Sequence, residues 1–186
     1  MKKIIFLMFF YALFSGISLG SQMYDYKVSK SWVTYIFTDQ NGAPTVRMST
    51  NCINNVTLNI DWFPGNIYRL ALCEPAISFV PKHATKIDIT IDSNITTKGT
   101  GEFITGNGFL WLIVYLPKNT DFIRQAILGN TLIFKIDSLK LKFSLIGFTE
   151  AFNYAMNLCE KIYKNYNNKL FREYLEENKK IEGTYL

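Results

Sequence analysis

The sequence predicts a mainly β chain: an antiparallel β-sandwich or strongly curved sheet, with a short inserted helix and a long C-terminal helix. Three observations predict it. Apolar and polar residues alternate through the middle of the chain, and Asn-Gly and Pro-Gly pairs separate the alternating runs. Only after Gly147 does the apolar spacing change to three and four, the period of a helix face.

Before any of these comes a different segment. Met1-Lys2-Lys3 precedes an apolar run, Ile4 to Phe14, and Ser18-Leu19-Gly20 supplies small residues at its exit. This basic, apolar, small-residue order is that of a secretory signal peptide over residues 1–20, with cleavage before Ser21. The run is shorter than the ~20 apolar residues a membrane-spanning helix needs, and no second long apolar segment follows, so no transmembrane segment is expected. Cleavage leaves about 166 residues, enough for one domain with its own core. A hydrophobic content of 48% and an aromatic content of 16% exclude a disordered chain.

In the domain expected over residues 21–148, Ser31–Thr38 and Thr45–Thr50 read as strands from β-branched and aromatic content, with Asn41-Gly42 between them. Val56, Leu58, Ile60 and Trp62 alternate with Thr57, Asn59 and Asp61, so one face is apolar and Asp61 points outward. Pro64-Gly65 turns the chain into a strand over Ile67–Leu72. Ile87, Ile89 and Ile91 alternate with Lys86, Asp88 and Thr90. Asn107-Gly108 marks a tight hairpin before the continuously apolar Phe109–Leu116. Gly99, Gly101, Gly106 and Gly108 read as turn glycines, and Thr97–Gly101 as a loop. Asn119 or Thr120 caps a short helix over Asp121–Leu128, ended by Gly129. Strands over Thr131–Ile136 and Leu139–Leu145 follow.

The last element is a helix over residues 149–182 with Thr149 as its cap, packed on the sheet and ending in an exposed tail. Phe152, Met156, Cys159, Tyr163, Tyr166, Leu170 and Tyr174 share one face. Its later part is the more polar, which makes Tyr163, Tyr166, Phe171 and Tyr174 candidate partner-binding residues.

The chemistry-bearing residues are few. The lone histidine, His83, lies beside Pro81 and Lys82 in a loop, and no nucleophile-elbow pattern accompanies it. Asp61, Glu74 and Glu102 are carboxylates that nothing in the sequence brings together as a hydrolytic pair; they read as solvated strand residues. Phosphate-loop and dinucleotide glycine patterns are absent, and no cofactor is expected. The three cysteines have no metal-ligand spacing, and no metal is expected. Losing Lys2 and Lys3 with the signal takes the formal charge from +5 to +3, scattered along the chain, which does not suit nucleic acid. Asn55-Val56-Thr57 and Asn94-Ile95-Thr96 match a glycosylation triplet that matters only in a eukaryotic secretory pathway, whereas the Lys-, Asn- and Ile-rich composition reads as bacterial.

In an oxidising compartment two of Cys52, Cys73 and Cys159 are expected to pair. A Cys52–Cys159 bridge would staple the terminal helix to the sheet and stabilise by about 4.7 kcal/mol in the chain-entropy picture, against about 3 kcal/mol for Cys52–Cys73. Three buried free thiols are the remaining possibility.

The run Phe143-Ser144-Leu145-Ile146-Gly147-Phe148-Thr149-Glu150-Ala151, with Cys159 after it, resembles the invasion-associated locus B family, whose end typically reads Ser-Leu-x-Gly-Phe-x-x-Ala. Ala126-Ile127-Leu128-Gly129 before the strand Thr131–Ile136 fits the same pattern. Arg47, Cys52, Val56-Thr57-Leu58, Asp61-Trp62 and Cys159 are similar to type VI secretion-associated accessory proteins. The likeness covers residues 122–160 and, in part, 45–63; Arg47 is not adjacent to Cys52, and the chain past Glu160 exceeds both patterns. In the motif itself Phe143 and Leu145 close a strand, Gly147 permits the turn, and Phe148 and Ala151 pack back on the sheet. Both resemblances imply a non-enzymatic periplasmic binding or accessory domain, and neither supplies a catalytic residue. The expectation is therefore a periplasmic or secreted interaction module with a protein partner in the cell envelope, linked to secretion or host association. It would present a strand edge or the tail helix. The alternative is a secreted inhibitor or ligand-binding domain, for example one that blocks a cell-wall hydrolase through the Pro81–Ala84 or Thr97–Gly101 loops.

Overall fold

The computed structural model describes residues 23–38, 43–52, 55–63, 67–74, 85–106, 109–118 and 120–163. The signal segment, His83, Tyr166, Phe171 and Tyr174 lie outside the described residues.

Ten strands form one antiparallel sheet: β1 (Met23–Ser29), β2 (Trp32–Thr38), β3 (Pro44–Asn51), β4 (Thr57–Phe63), β5 (Ile67–Glu74), β6 (Thr85–Ile91), β7 (Ile95–Gly106), β8 (Phe109–Tyr115), β9 (Thr131–Ile136) and β10 (Leu139–Ser144). Their order across the sheet is β1-β2-β3-β4-β5-β8-β7-β6-β9-β10. Helix α1 (Phe122–Leu128) links β8 to β9, and α2 (Phe148–Tyr163) follows β10. The expected mainly antiparallel architecture is realised as a single curved sheet.

The curvature is large. The Trp32 Nε1–H donates to the Ser144 carbonyl at 3.0 Å, and the Ser31 N–H to that of Ile146 at 3.4 Å. The end of β10 thus meets the start of β2, from the opposite side of the sheet order. The inward residues of every strand except β1 join one apolar core, which α2 enters with Phe148, Ala151, Ala155, Leu158 and Cys159. The Phe148 ring meets Trp32 edge-on at 5.0 Å. Phe143 and Leu145 are buried in the same core, so the motif that closes the sheet packs as its sequence implies. Phe152, Met156 and Tyr163, expected on the helix's inner stripe, pack at the margin of that core.

Gly147 makes the strand-to-helix corner possible. Its φ is +91°, and a Cβ there would collide with the Ser29 carbonyl. The Gly147 carbonyl accepts the Ala151 N–H, so the helix starts at Phe148 and Thr149 is not its cap. The Thr149 hydroxyl instead donates to the Ile127 carbonyl near the end of α1. In α1 itself Asp121 occupies the cap position, in place of the expected Asn119 or Thr120.

Two strands depart from the sequence expectation. β1 went unpredicted because its pairing with β2 shifts register between Tyr24 and Lys27, which breaks any period-two pattern. The stretch Thr97–Gly101 is no loop: it lies inside the twelve-residue β7, paired with β6. Gly101 is a packing glycine, since a Cβ there would come within 2.6 Å of both the Ile87 and Leu112 Cδ1 atoms.

Candidate functional site

Among the described residues the helices pack on the inner face of the sheet, and the chemistry of the outer face is set by strand residues. Across β2, β3, β4 and β5 the register aligns Tyr35, Arg47, Asp61 and Arg69 as successive partners. Residues directly opposite in an antiparallel pair share a face, so these four side chains form one rung.

Asp61 is the centre of the rung. Arg47 holds it with two parallel bonds, Nε–H to Oδ1 and Nη2–H to Oδ2, the second at 3.0 Å. Arg69 adds Nη2–H to Oδ2 at 2.7 Å. The Asp61 side chain has 0% exposure, that of Arg47 11% and that of Arg69 42%. Burial alone would raise the Asp61 pKa; the Arg47 and Arg69 charges and their hydrogen bonds outweigh it and hold the carboxyl at about 2. Burial likewise opposes the Arg47 charge, yet Asp61 lifts its pKa above the usual value. This overturns the expectation of a solvated Asp61. An outward position on a strand is exposed only when nothing on that face competes with water, and here two guanidiniums do.

A second polar rung runs beside the first. The Ser49 hydroxyl donates to Asn59 Oδ1 at 2.6 Å, which leaves the Tyr35 hydroxyl to donate to Ser49 Oγ at 3.4 Å. Aromatic rings frame the cations. The Arg47 guanidinium lies 4.3 Å from the Phe37 ring centroid and 5.5 Å from that of Trp111, and Arg69 lies 5.4 Å from Phe63. The site therefore carries two cations against one carboxylate, with Arg69 reaching solvent.

The protonation state of Asp61 limits what it can do. A carboxyl held near pH 2 is ionised and saturated by three N–H donors, so it has no proton to give and little basicity at neutral pH. Glu102 sits on β7, two strands away from β5, and accepts from the Tyr115 hydroxyl at 3.4 Å. The two carboxylates do not face one another across a cleft. Glu74 ends β5.

The cysteines are placed apart. Among the described residues Cys52, Cys73 and Cys159 are all buried thiols outside any disulfide, so the expected Cys52–Cys159 bridge is not formed. Helix α2 begins against Trp32, and its last residue, Tyr163, donates its hydroxyl to the Trp62 carbonyl at 2.9 Å. Trp62 pairs with Val46, and Cys52 lies six residues further along, about 20 Å at strand rise. Cys159 is one helical turn from Tyr163, hence toward the far end of the strands from Cys52, beyond the ~7 Å Cα separation a disulfide spans. Cys73, opposite Thr57 and Trp111, faces outward.

Tyr163, the one candidate partner-binding residue among the described positions, is half-buried and tied to Trp62. Sequence reasoning did not find Arg47 and Arg69 as partners of Asp61. The signal was positional: Asp61 and Arg69 stand equally far from Gly65 in the predicted hairpin, and Arg47 and Asp61 equally far from Asn54. No described helix is long and apolar enough to cross a membrane. No family model, curated protein or solved structure matches the chain.

Proposed function

We propose that the chain is an exported, non-enzymatic interaction module of the cell envelope, acting in the periplasm or after secretion, and that it holds a protein partner on its outer sheet face. The observation that carries this reading is the Arg47–Asp61–Arg69 rung: a rigid, charged and aromatic-framed feature on the sheet face opposite the helices. Arg, Trp and aromatic rings around a preorganised centre are the composition of binding hot spots. The basic and apolar start of the chain and the closing Phe143–Ala151 motif, with its resemblance to periplasmic accessory families, support export.

The face is favoured over a strand edge. β1 bulges at Asp25, which has φ 49°, and the Tyr154 hydroxyl and Lys161 Nζ of α2 donate to its backbone and carboxylate. β10 carries Lys140 and Lys142 along its length. Bulged and lysine-bearing edges are poor templates for an added strand.

The test is photo-cross-linking in the native host, with the reactive side chain at Ile67 on the outer face or at Leu128 on α1, both exposed. The expected result is a discrete protein adduct from Ile67 and none from Leu128, on a chain that begins at Ser21. A chain recovered from the cytosol with Met1 still attached, or equal cross-linking from both positions, overturns the proposal.

A further inference from the structure

We propose that the outer face recognises a partner segment presenting one carboxylate beside an apolar side chain, with Arg69 as the residue that reads the carboxylate. The inference rests on the binding-module reading above and specifies the chemistry of its site.

Charge sets the first half of the argument. Asp61 cancels one of the two guanidiniums, and the rung keeps one positive charge. Arg47 directs Nε and Nη2 to Asp61, and Arg69 directs only Nη2 there. A guanidinium has five N–H donors in a fixed fork, so Arg69 retains Nε–H and Nη1–H donors at a side chain that is 42% exposed. Asp61 fixes that fork before any ligand arrives, which removes part of the ordering cost of binding. A carboxylate suits the remaining donors in geometry and matches the surplus charge in number.

The surroundings set the second half. Phe63 stacks near Arg69, Ile67 is exposed two residues before it on the same face of β5, and Phe37 and Trp111 flank Arg47. Phe and Ile offer no hydrogen bonds. A hydroxyl-rich sugar laid against them would leave its own polar groups unpaired, whereas an aliphatic or aromatic peptide side chain would bury apolar area there. The combination selects an acidic residue next to an apolar one.

The probe is a pair of blocked tripeptides, acetyl-Leu-Glu-Leu-amide and acetyl-Leu-Gln-Leu-amide, titrated into the mature chain. Trp32 and Trp62 are sealed in the core at 0% and 2% exposure, so a change in emission reports on Trp111, whose ring contacts Arg47. The Glu peptide is expected to bind about tenfold or more tightly than the Gln peptide, the ratio expected for a charge-assisted hydrogen bond. Arg69→Met should erase that ratio while Asp61 keeps its Arg47 fork and the urea midpoint moves little. Arg69→Lys should restore only part of it, because an ammonium lacks the fork. Equal binding of the two peptides, an unchanged ratio in Arg69→Met, or inorganic phosphate binding as well as the Glu peptide would overturn the inference. A specific Ile67 adduct in the cross-linking experiment alongside equal peptide binding would sink this inference and leave the binding-module reading standing; loss of the adduct would remove both.

Discussion

Arg47 and Asp61 stand directly opposite one another on β3 and β4, and the guanidinium closes a two-bond fork on a carboxylate that has no exposed surface. Under the proposed binding role, the relationship couples fold to function. The same pair that pins the register of β3 and β4 also orients Arg69, the cation that reaches solvent. A partner of the proposed kind would meet a charge whose position is already determined by the sheet.

Removing the carboxylate should therefore be far more damaging than removing the outer cation. Asp61→Ala strands a buried Arg47 without its counter-charge, and such losses run to about 3–5 kcal/mol. Arg69→Met removes a half-exposed partner and should lower stability by about 1 kcal/mol or less. Urea unfolding of both variants checks the order; equal losses would mean that the buried fork does not govern the rung.

The pH dependence follows from the sign of the Asp61 shift. Its folded-state pKa, about 2, lies below its ordinary 3.8. A depressed carboxyl contributes stability that is fully present above about pH 4 and lost as the pH falls through 2, worth about 2 kcal/mol at ~1.36 kcal/mol per unit. Urea midpoints measured from pH 6 down to pH 2 should fall across that window. In Asp61→Asn the fall should be smaller by about that amount, from a lower starting stability.

At Gly147 the expectation rests on space and on backbone together. With φ at +91° and the Ser29 carbonyl occupying the place of a Cβ, Gly147→Ala must open the corner between β10 and α2. A loss of about 2 kcal/mol or more is expected, combining strain at positive φ with displacement of β1. The midpoint of unfolding should drop while its slope is unchanged.

Much of the fold was legible because period-two alternation is a local signal. Leu58, Ile60 and Trp62 and the Ile87–Ile91 triplet each predicted the face they bury. β1 was not legible, since the shift between Tyr24 and Lys27 switches the pleat within seven residues. Gly99 and Gly101 misled because a glycine that makes room for a neighbour, the Tyr115 carbonyl at Gly99 and Ile87 and Leu112 at Gly101, looks in sequence like one that makes a turn. The site failed for a different reason. Whether Asp61 is solvated or buried depends on the register of β3 and β5, and alternation says which face a residue takes but not which residue stands opposite.

Among the described residues, the core offers a place where more side chain should help. A hollow of about 20 Å³ lies among Val56, Leu72, Phe103, Leu110, Leu112, Ile136 and Leu141. Val56→Ile adds one methyl group just before β4 without changing the β-branched shape, and a buried CH₂ is worth about 0.8 kcal/mol. The variant should unfold at higher urea. A loss of about 1–3 kcal/mol would instead mark overpacking and show that the hollow cannot take the added carbon.

The thiols make the last expectation, and it bears on export. Cys52, Cys73 and Cys159 are buried and unbridged, and burial pushes the Cys159 pKa up to about 12. Only the thiolate reacts, so at pH 8 about one Cys159 in ten thousand is in the reactive form. Iodoacetamide should leave Cys159 unmodified in the native protein and label all three cysteines in urea. Protein recovered from an oxidising compartment should show the same three thiols, still unbridged, on non-reducing peptide mapping, because Cys52 and Cys159 lie toward opposite ends of the β3–β4 layer. A Cys52–Cys159 bridge in that map would require α2 to slide along the sheet by several turns, and would contradict the contacts of Phe148 with Trp32 and of Tyr163 with Trp62.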